Sequence, residues 1–414
     1  MAFQLTNYSN ALHNILLPYI RDNFPKATIL LDQLKRNSGV TVMNNNFYAP
    51  LRNSRHGGIV SLADDGNTTV SGTAGVSQAS VGVKIHTGVF DITKLAIDAS
   101  KSSRMAVAPA LQFQAESLAS DFARAINRQM YSDGAGIVGQ AGGSVGEGTI
   151  GLTYKDANLD DGRSIDNYGS VNGDISQNKY IVPGQVLGIG TAAADLGTVS
   201  SVSGTTVVVT GAPAIVANDS IFLVDGSGEG AGTAEIEGIR KALSSTTGTN
   251  TYAGVARNTT GWTPQFGSVS EALTLSAMES AYLAAREYGQ MGDQYIILVN
   301  KSLYKKYGDL LTSMRRTVTE TDLLGGWTGL EFAAGAGRVG VFLDYDVPDG
   351  EVLILDLDTW TICQVSDLDW MESPNEGAML RVANSIYYQA TMVWFANLLC
   401  LAPAANARET QKTD

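Results

Sequence analysis

One stretch constrains this chain more than any other: a polar, Gly-rich double strand over Phe47–Ile97 that leads into a single long amphipathic helix, Pro109–Tyr131. The strands hold too few apolar side chains to build a core of their own, and an isolated two-stranded hairpin is barely stable in water. The helix is the opposite case. Leu111, Ala115, Leu118, Phe122, Ile126 and Met130 recur at helical spacing, with Glu116, Asp121, Arg124 and Arg128 on the other faces. Pro109 suits a first helical turn, and Gly134 after Ser132-Asp133 suits a stop. A pliant β-arm rooted on a stiff helix is the layout of a subunit that completes itself on its neighbours.

Within the arm, Ser80–His86 reads as a strand with Val81, Val83 and Ile85 on one face and Lys84 and His86 on the other. Asp64-Asp65-Gly66-Asn67 is a turn, which makes Ile59–Ala63 the expected partner strand. Ahead of the arm, Leu12, Ile15, Leu16 and Tyr19 share a helical face broken by Pro18 and Pro25. Asp32–Asn37 is a second short helical piece. Neither is long enough to be stable alone.

At 414 residues the chain needs two or three lobes. Residues 135–177 are rich in Gly, Asp and Asn and read as loop with short β pieces. Four β runs follow: Tyr180–Ile189, Gly197–Val202, Thr205–Val209 and Ser220–Val224. They are broken by turns such as Ser203-Gly204. They suggest a small barrel or sandwich inserted in a larger fold, with its ends close together. From Ser268 the pattern turns α/β. Ser268-Val-Ser-Glu271 can form a capping box for a helix through Leu273, Met278 and Ala285. Tyr295–Val299 is a continuous apolar strand, and Asn300 can cap the next helix. Strands are expected at Gly340–Leu343, Glu351–Leu355 and Trp360–Val365. Two long strands, Ala378–Tyr388 and Ala390–Leu401, would close the chain.

Charge is uneven. The formal net charge is −13, yet residues 1–60 are net positive, while 341–380 hold ten acids and no Lys or Arg. Basic arm and acidic lobe would attract one another between copies, and the overall acidity argues against a nucleic-acid reader. Cys363 and Cys400 have no zinc or CxxC spacing and read as reduced thiols. No export signal stands at the N-terminus, and the apolar run Met392–Pro403 is too short to span a bilayer.

Searching for chemistry yields little. His13, His56 and His86 sit in no catalytic pattern, so no catalytic residue is assigned. Asp156, Asn158 and Asp160 alternate as in a calcium loop. The Gly comes one place late and Asn167 stands where the distal Glu belongs, so an acidic turn is the simpler reading. The pairs Asp356/Asp358 and Asp367/Asp369 could suggest a glycosidase, but alternation on exposed strand faces explains them. No cofactor or metal is assigned.

The order of elements resembles the major capsid protein of tailed bacteriophages, the Hong Kong 97-type capsid fold. Ala123–Gly134 resembles the end of that family's spine helix, and Thr251–Arg257 with Trp262 the entry to its axial domain. Tyr295–Tyr304 resembles the strand-then-helix of that domain, and Asn384–Asn406 the closing strands. The resemblance implies an α+β fold divided as follows: N-terminal arm 1–45, extended β-loop 46–97, spine helix and start of the peripheral domain 98–140, loop and inserted β-domain 141–250 with its barrel core at 178–235, and axial domain with closing peripheral strands 251–414. It implies self-assembly through hexamers and pentamers into an icosahedral virion shell. That shell is built in the host cytoplasm and encloses double-stranded DNA without reading its sequence. It also implies a scaffolding protein, a portal and a decoration protein as partners, with no membrane and no enzyme activity. Because the chain starts almost directly at the arm, the scaffold would be a separate protein. Arg52, Arg55, His56 and Lys84, then Arg315 and Arg316, are the expected contacts to acidic neighbours. The competing reading is a β-rich phage tail or surface adhesin, which the long helix and the α/β lobe fit poorly.

Overall fold

The structure, a computed structural model, describes residues 28–37, 41–52, 74–95, 108–134, 136–141, 149–153, 181–189, 196–203, 206–211, 220–223, 235–244, 251–257, 261–289, 294–313, 320–322, 328–334, 337–348, 350–372, 378–382 and 385–413, with 56, 58, 59, 61, 64 and 72 singly.

The first lobe is organised by one strand, Tyr387–Cys400. Along one edge it pairs antiparallel with Lys84–Thr93, in register from Tyr387↔Thr93 to Ala396↔Lys84. Along the other edge it takes Met379–Arg381, Asp369–Trp370 and Trp360–Gln364, all antiparallel. Lys35–Asn37 adds on the far side of Trp360–Gln364 in parallel. The two long closing strands expected at the end of the chain are therefore one. Its long partner comes from just after the hairpin, and the piece at 379–381 pairs only briefly along the opposite edge. The expected helical piece Asp32–Asn37 also changes. The helix is Ile29–Gln33, and Lys35–Asn37 is strand.

The long helix runs Ala108–Tyr131 and covers one face of this sheet. Ala115, Phe122, Ile126 and Met130 of the expected stripe are buried. Gly88 lies under Leu118, where a Cβ would come within 3.2 Å of Leu118 Cδ1, so a larger residue would make the leucine shift by a few tenths of an ångström.

The second lobe is a seven-stranded sheet. Its spatial order is Gln265–Gly267, Ala407–Glu409, Val352–Asp356, Tyr295–Val299, Gly337–Leu343, Thr328–Ala334, Glu320–Asp322. Alternate side chains explain why Tyr295–Val299 is apolar throughout. Ile297 and Val299 pack with Met278, Tyr282, Leu303 and Tyr307 of the helices Leu275–Arg286 and Lys301–Ser313. Ile296 and Leu298 face the other way, into the core of the first lobe. Asn300 caps as expected, its Oδ1 accepting from Leu303 N at 3.1 Å. The expected capping box does not form. Thr274 caps instead, and Glu271 lies in a strand parallel to Lys412–Thr413. A buried ion group ties the lobe together: Glu351 accepts from both Arg240 and Arg408.

The third unit is a closed barrel of six strands: Thr206–Thr210, Thr149–Thr153, Ile137–Ala141, Ser220–Leu223, Val186–Ile189 and Leu196–Ser203. It has its own core of Ile181, Leu187, Ile189, Val199, Val207, Val209 and Ile221. The barrel begins earlier than the expected 178–235. Two of its strands, Ile137–Ala141 and Thr149–Thr153, carry so much Gly, Thr and Gln that they read only as short β pieces in a loop, not as part of the barrel. Its two stems meet at the C-terminal end of the long helix. Gly134 has φ +88° and lies against the Ile236 carbonyl. Arg128 pairs with Glu235, and Ile236 N donates to Gln129 Oε1. Gly238 sits directly on the helix end, where a Cβ would fall 2.3 Å from the Met130 oxygen and 2.5 Å from those of Gln129 and Ser132. Backbone oxygens cannot yield as a flexible side chain would. Gly238→Ala is expected to lower subunit stability by about 3 kcal/mol, the upper range for overpacking, measured by denaturant unfolding.

Candidate assembly surface

The hairpin differs in pairing from expectation. Val76–Gly82 pairs antiparallel with Asn46–Arg52, from Asn46↔Gly82 to Arg52↔Val76, and Thr41–Met43 adds a third strand. The partner is thus 46–52 rather than Ile59–Ala63. The strand also breaks at Val83, and the faces swap there. Val81 is buried as expected, but past the break His86 is buried and Ile85 is 60% exposed. The cause is the switch of partner, from the hairpin to Tyr387–Cys400.

The base of the hairpin belongs to its own subunit. Phe47, Ala79 and Val81 join the main core. Ser80 N donates to the Ala253 carbonyl at 2.8 Å. Asn397, fully buried, holds the junction. Its Nδ2 donates to the Gly82 carbonyl at 2.7 Å, and its Oδ1 accepts from Glu237 N and Leu398 N, each at 2.9 Å. Within 76–85, Ala79 and Val81 are therefore committed to their own chain. Beyond the base, Ile59 and Val76 are each 72% exposed, and Val42 and Met43 are also exposed.

The sheet face away from the helix is open. Register fixes its rows. Ile85 lies beside Phe395 and Val365, Thr87 beside Val393 and Asp369, and Val89 beside Thr391 and Met371. Ile85, Val89, Val365 and Met371 are exposed there, and Asp91 and Asp369 edge the patch with negative charge. A contiguous apolar face of this kind marks a contact surface more often than a free one.

The expected contact residues fall unevenly. Arg52 ends the first hairpin strand, opposite Val76, and its side chain lies outside the described residues. Arg55, Arg315, Arg316, Asp156, Asn158 and Asp160 also lie outside them. His56 is exposed, and its Nδ1 accepts from Gly58 N at 3.1 Å, which folds it into a local turn. Lys84 is half-buried, 3.9 Å from Glu237 of its own chain. Arg36 of the basic segment is likewise drawn to Asp367 and Asp32 within the chain. Part of the charge asymmetry is therefore spent inside the subunit. Asn397 was missed as a functional residue, although a lone Asn in the apolar run 392–403 was the visible signal. The residues of the open face were missed because nothing local distinguishes a covered strand face from an open one.

No catalytic arrangement emerges among the described residues. Among the described residues no three His, Cys, Asp or Glu side chains converge, and no helix is long and apolar enough to cross a membrane. Cys363 and Cys400 are buried, and burial pushes both thiols up to about 12.

No protein-family model matches this sequence, and no curated protein matches it. Solved structures do. The capsid asymmetric unit of cyanophage A-1(L) superposes with a TM-score of 0.56 at 13% identity, covering 94% of both chains. The capsid of a native GTA particle (11% identity, 94% of this chain and 91% of that one, TM-score 0.44) is a looser likeness. So is that of Myoviridae phage XM1 (10%, 93% and 91%, TM-score 0.40). The chain has the Hong Kong 97-type capsid fold.

His86 gives this surface a titratable marker. It sits on the covered face, its ring 6.1 Å from Trp394. Burial pushes its pKa down to about 4. A bond to the Ala396 backbone resists this, and the Lys84 charge adds to it. The folded subunit thus keeps His86 neutral while the unfolded chain takes up a proton below pH 6.5. Stability should fall between pH 6.5 and about 4 by at most about 3 kcal/mol from this group, then level off. His86→Leu should flatten that part of the stability–pH curve, measured by urea unfolding from pH 7 to 4.

Proposed function

We propose that this chain is the major capsid protein of a tailed bacteriophage and self-assembles into an icosahedral shell around double-stranded DNA. The observation that carries this is the fold likeness to the cyanophage A-1(L) capsid chain over 94% of both chains. A match of that breadth favours a shell subunit over a tail or surface adhesin. In this reading the helix Ala108–Tyr131 is the spine, the first lobe is peripheral, the seven-stranded lobe is axial, and the barrel is an inserted domain. The distal part of the hairpin lies over an adjacent copy. The open apolar face, with its acidic edge, meets apolar and basic residues of a neighbour, among which Arg52, Arg55 and His56 are the first candidates. Each contact is weak, and repetition over many copies makes the lattice stable. Subunits associate as hexamers and pentamers in the host cytoplasm with a scaffolding protein, a portal and a decoration protein. Acidic inner surfaces let DNA pack without sticking. No enzyme activity is part of this role.

Electron microscopy of the purified full-length protein tests the proposal directly. Closed shells or capsomers are expected, and a persistently monomeric, sugar-binding protein would overturn it. The open face gives a sharper test. Val89→Lys combined with Val365→Lys places two charges on exposed positions, so the melting temperature of the subunit should barely move. Assembly should be lost, as read by sedimentation velocity. Normal shells from this double variant would remove the open face from the interface.

A further inference from the structure

The first-lobe sheet ends in an open edge. Met371 N donates to the Thr391 carbonyl at 2.8 Å, and Val365 N to that of Phe395 at 3.0 Å. A strand turns the amide and carbonyl of one residue to one side and those of the next to the other. Ala390, Met392, Trp394 and Ala396 therefore face Lys84–Thr93, where the register gives them Phe90, Gly88, His86 and Lys84. Lys94 N, which donates inward to the Ile386 carbonyl at 2.8 Å, fits the same alternation. Ile85, Thr87, Val89 and Asp91 are left with their main-chain groups turned outward. Among the described residues no strand pairs along that side, and no hydrogen bond meets those groups.

Soluble proteins usually blunt such an edge with proline, lysine or a bulge. Here the register runs unbroken from Lys84 to Thr93, and none of the outward residues is Pro or Lys. The open window has definite ends. At Val83 the amide is already bonded to the Asn45 carbonyl at 2.9 Å, where the hairpin begins, and past Thr93 the strand stops. Its midpoint is Val89. Two copies related by a two-fold axis can join such edges only in the antiparallel sense. An axis at Val89 fills the window from Ile85 to Thr93 and keeps clear of the hairpin.

We propose that Lys84–Thr93 pairs with the same strand of a second copy across a two-fold axis at Val89, so that two sheets become one. The proposal rests on the shell reading and names one of its contacts. In this register Val89 lies beside Val89 of the second copy. Thr87 lies beside Asp91 of the second copy, and the hydroxyl can donate to that carboxylate on both sides of the axis. Ile85 and Val89 belong to the open face, so the two apolar patches merge across the axis. On the other face Leu118, half-buried over Gly88, comes next to the axis and gains apolar company. Main-chain bonds hold the pair, and alternate side chains make it selective.

A symmetric disulfide reads the register on the full-length protein. Val89→Cys puts two thiols on Cα atoms about 5.5 Å apart in a hydrogen-bonded pair, within the span of a disulfide. Mild oxidation should turn most of it into covalent dimer on non-reducing gels. Ile85→Cys is at least as exposed but lies about 27 Å from its mate, so it should stay uncross-linked. The native Cys363 and Cys400 are buried with thiols pushed up to about 12, and they stay silent. Thr87→Pro removes only an outward amide, so the melting temperature of the subunit should barely move. Its self-association in sedimentation should weaken by about tenfold or more, whereas Thr87→Val keeps the amide and should stay closer to wild type. Shells in which Val89→Cys fails to cross-link, equal cross-linking of Ile85→Cys, or undiminished association of Thr87→Pro would each overturn the pairing and leave the shell reading standing. Covalent dimers with no larger particle would uphold the pairing and sink the shell reading. A protein that stays monomeric and uncross-linked would overturn both.

Discussion

The side chain of Asn397 is the point on which the architecture turns. One buried carboxamide binds the end of the hairpin, the stem that returns from the barrel, and the central strand itself. It joins positions as far apart as Gly82 and Asn397, 315 residues in sequence. No apolar side chain could replace it, since three backbone groups would lose a buried partner, and each such loss costs about 1–3 kcal/mol. A polar network of this kind fixes a unique arrangement only when all its members are satisfied. Asn406 repeats the device one turn later. It accepts from Trp360 Nε1 and Asp356 N and donates to Thr359 Oγ1 and the Ala402 carbonyl. The two asparagines bracket the last turn out of the central strand and hold it between the two lobes.

Charge is handled in a similar way. Burial alone would raise the Glu351 carboxyl, but Arg240 and Arg408 overcome that and hold it at about 2. Such a group contributes stability above the unfolded carboxylate range and loses it as pH falls toward 2. Its value lies less in net free energy than in selecting one arrangement, since removing any one member strands a buried charge. The three residues come from the barrel's return stem, the start of a second-lobe strand, and the final strand pairing. A single ion group therefore registers three distant segments.

The long helix, the capped helix after Asn300 and the apolar strand Tyr295–Val299 were legible because each carries its period and its terminators locally. The barrel was half legible. Its Val-rich strands stood out, and its Gly- and Thr-rich strands at 137–141 and 149–153 did not, because a closed barrel satisfies their backbones without demanding apolar side chains. Strand partners were not legible at all. Lys84–Thr93 looks like half of a hairpin until its real partner, from the far end of the chain, is placed beside it. The reversal of faces at Val83 follows from that choice. Hence alternation puts Ile85 on the face of the buried Val81 and His86 on the opposite one, the inverse of what the sheet requires. The candidate Lys84 suffered from the same blindness, for it finds Glu237 within its own chain, as Arg36 of the basic segment finds Asp367 and Asp32.

That distant pairing also governs timing. The strand Tyr387–Cys400 supplies the template for Lys84–Thr93, Trp360–Gln364 and the shorter strands beside them, and it is made after all of them. Ala407–Glu409 then fills the gap between Gln265–Gly267 and Val352–Asp356. Until those residues leave the ribosome, neither sheet can close. Contacts this remote fold slowly. The open face on which copies would meet does not exist on a nascent chain. On a growing polypeptide held near its siblings on one message, any association through that face would have to wait until both sheets have closed.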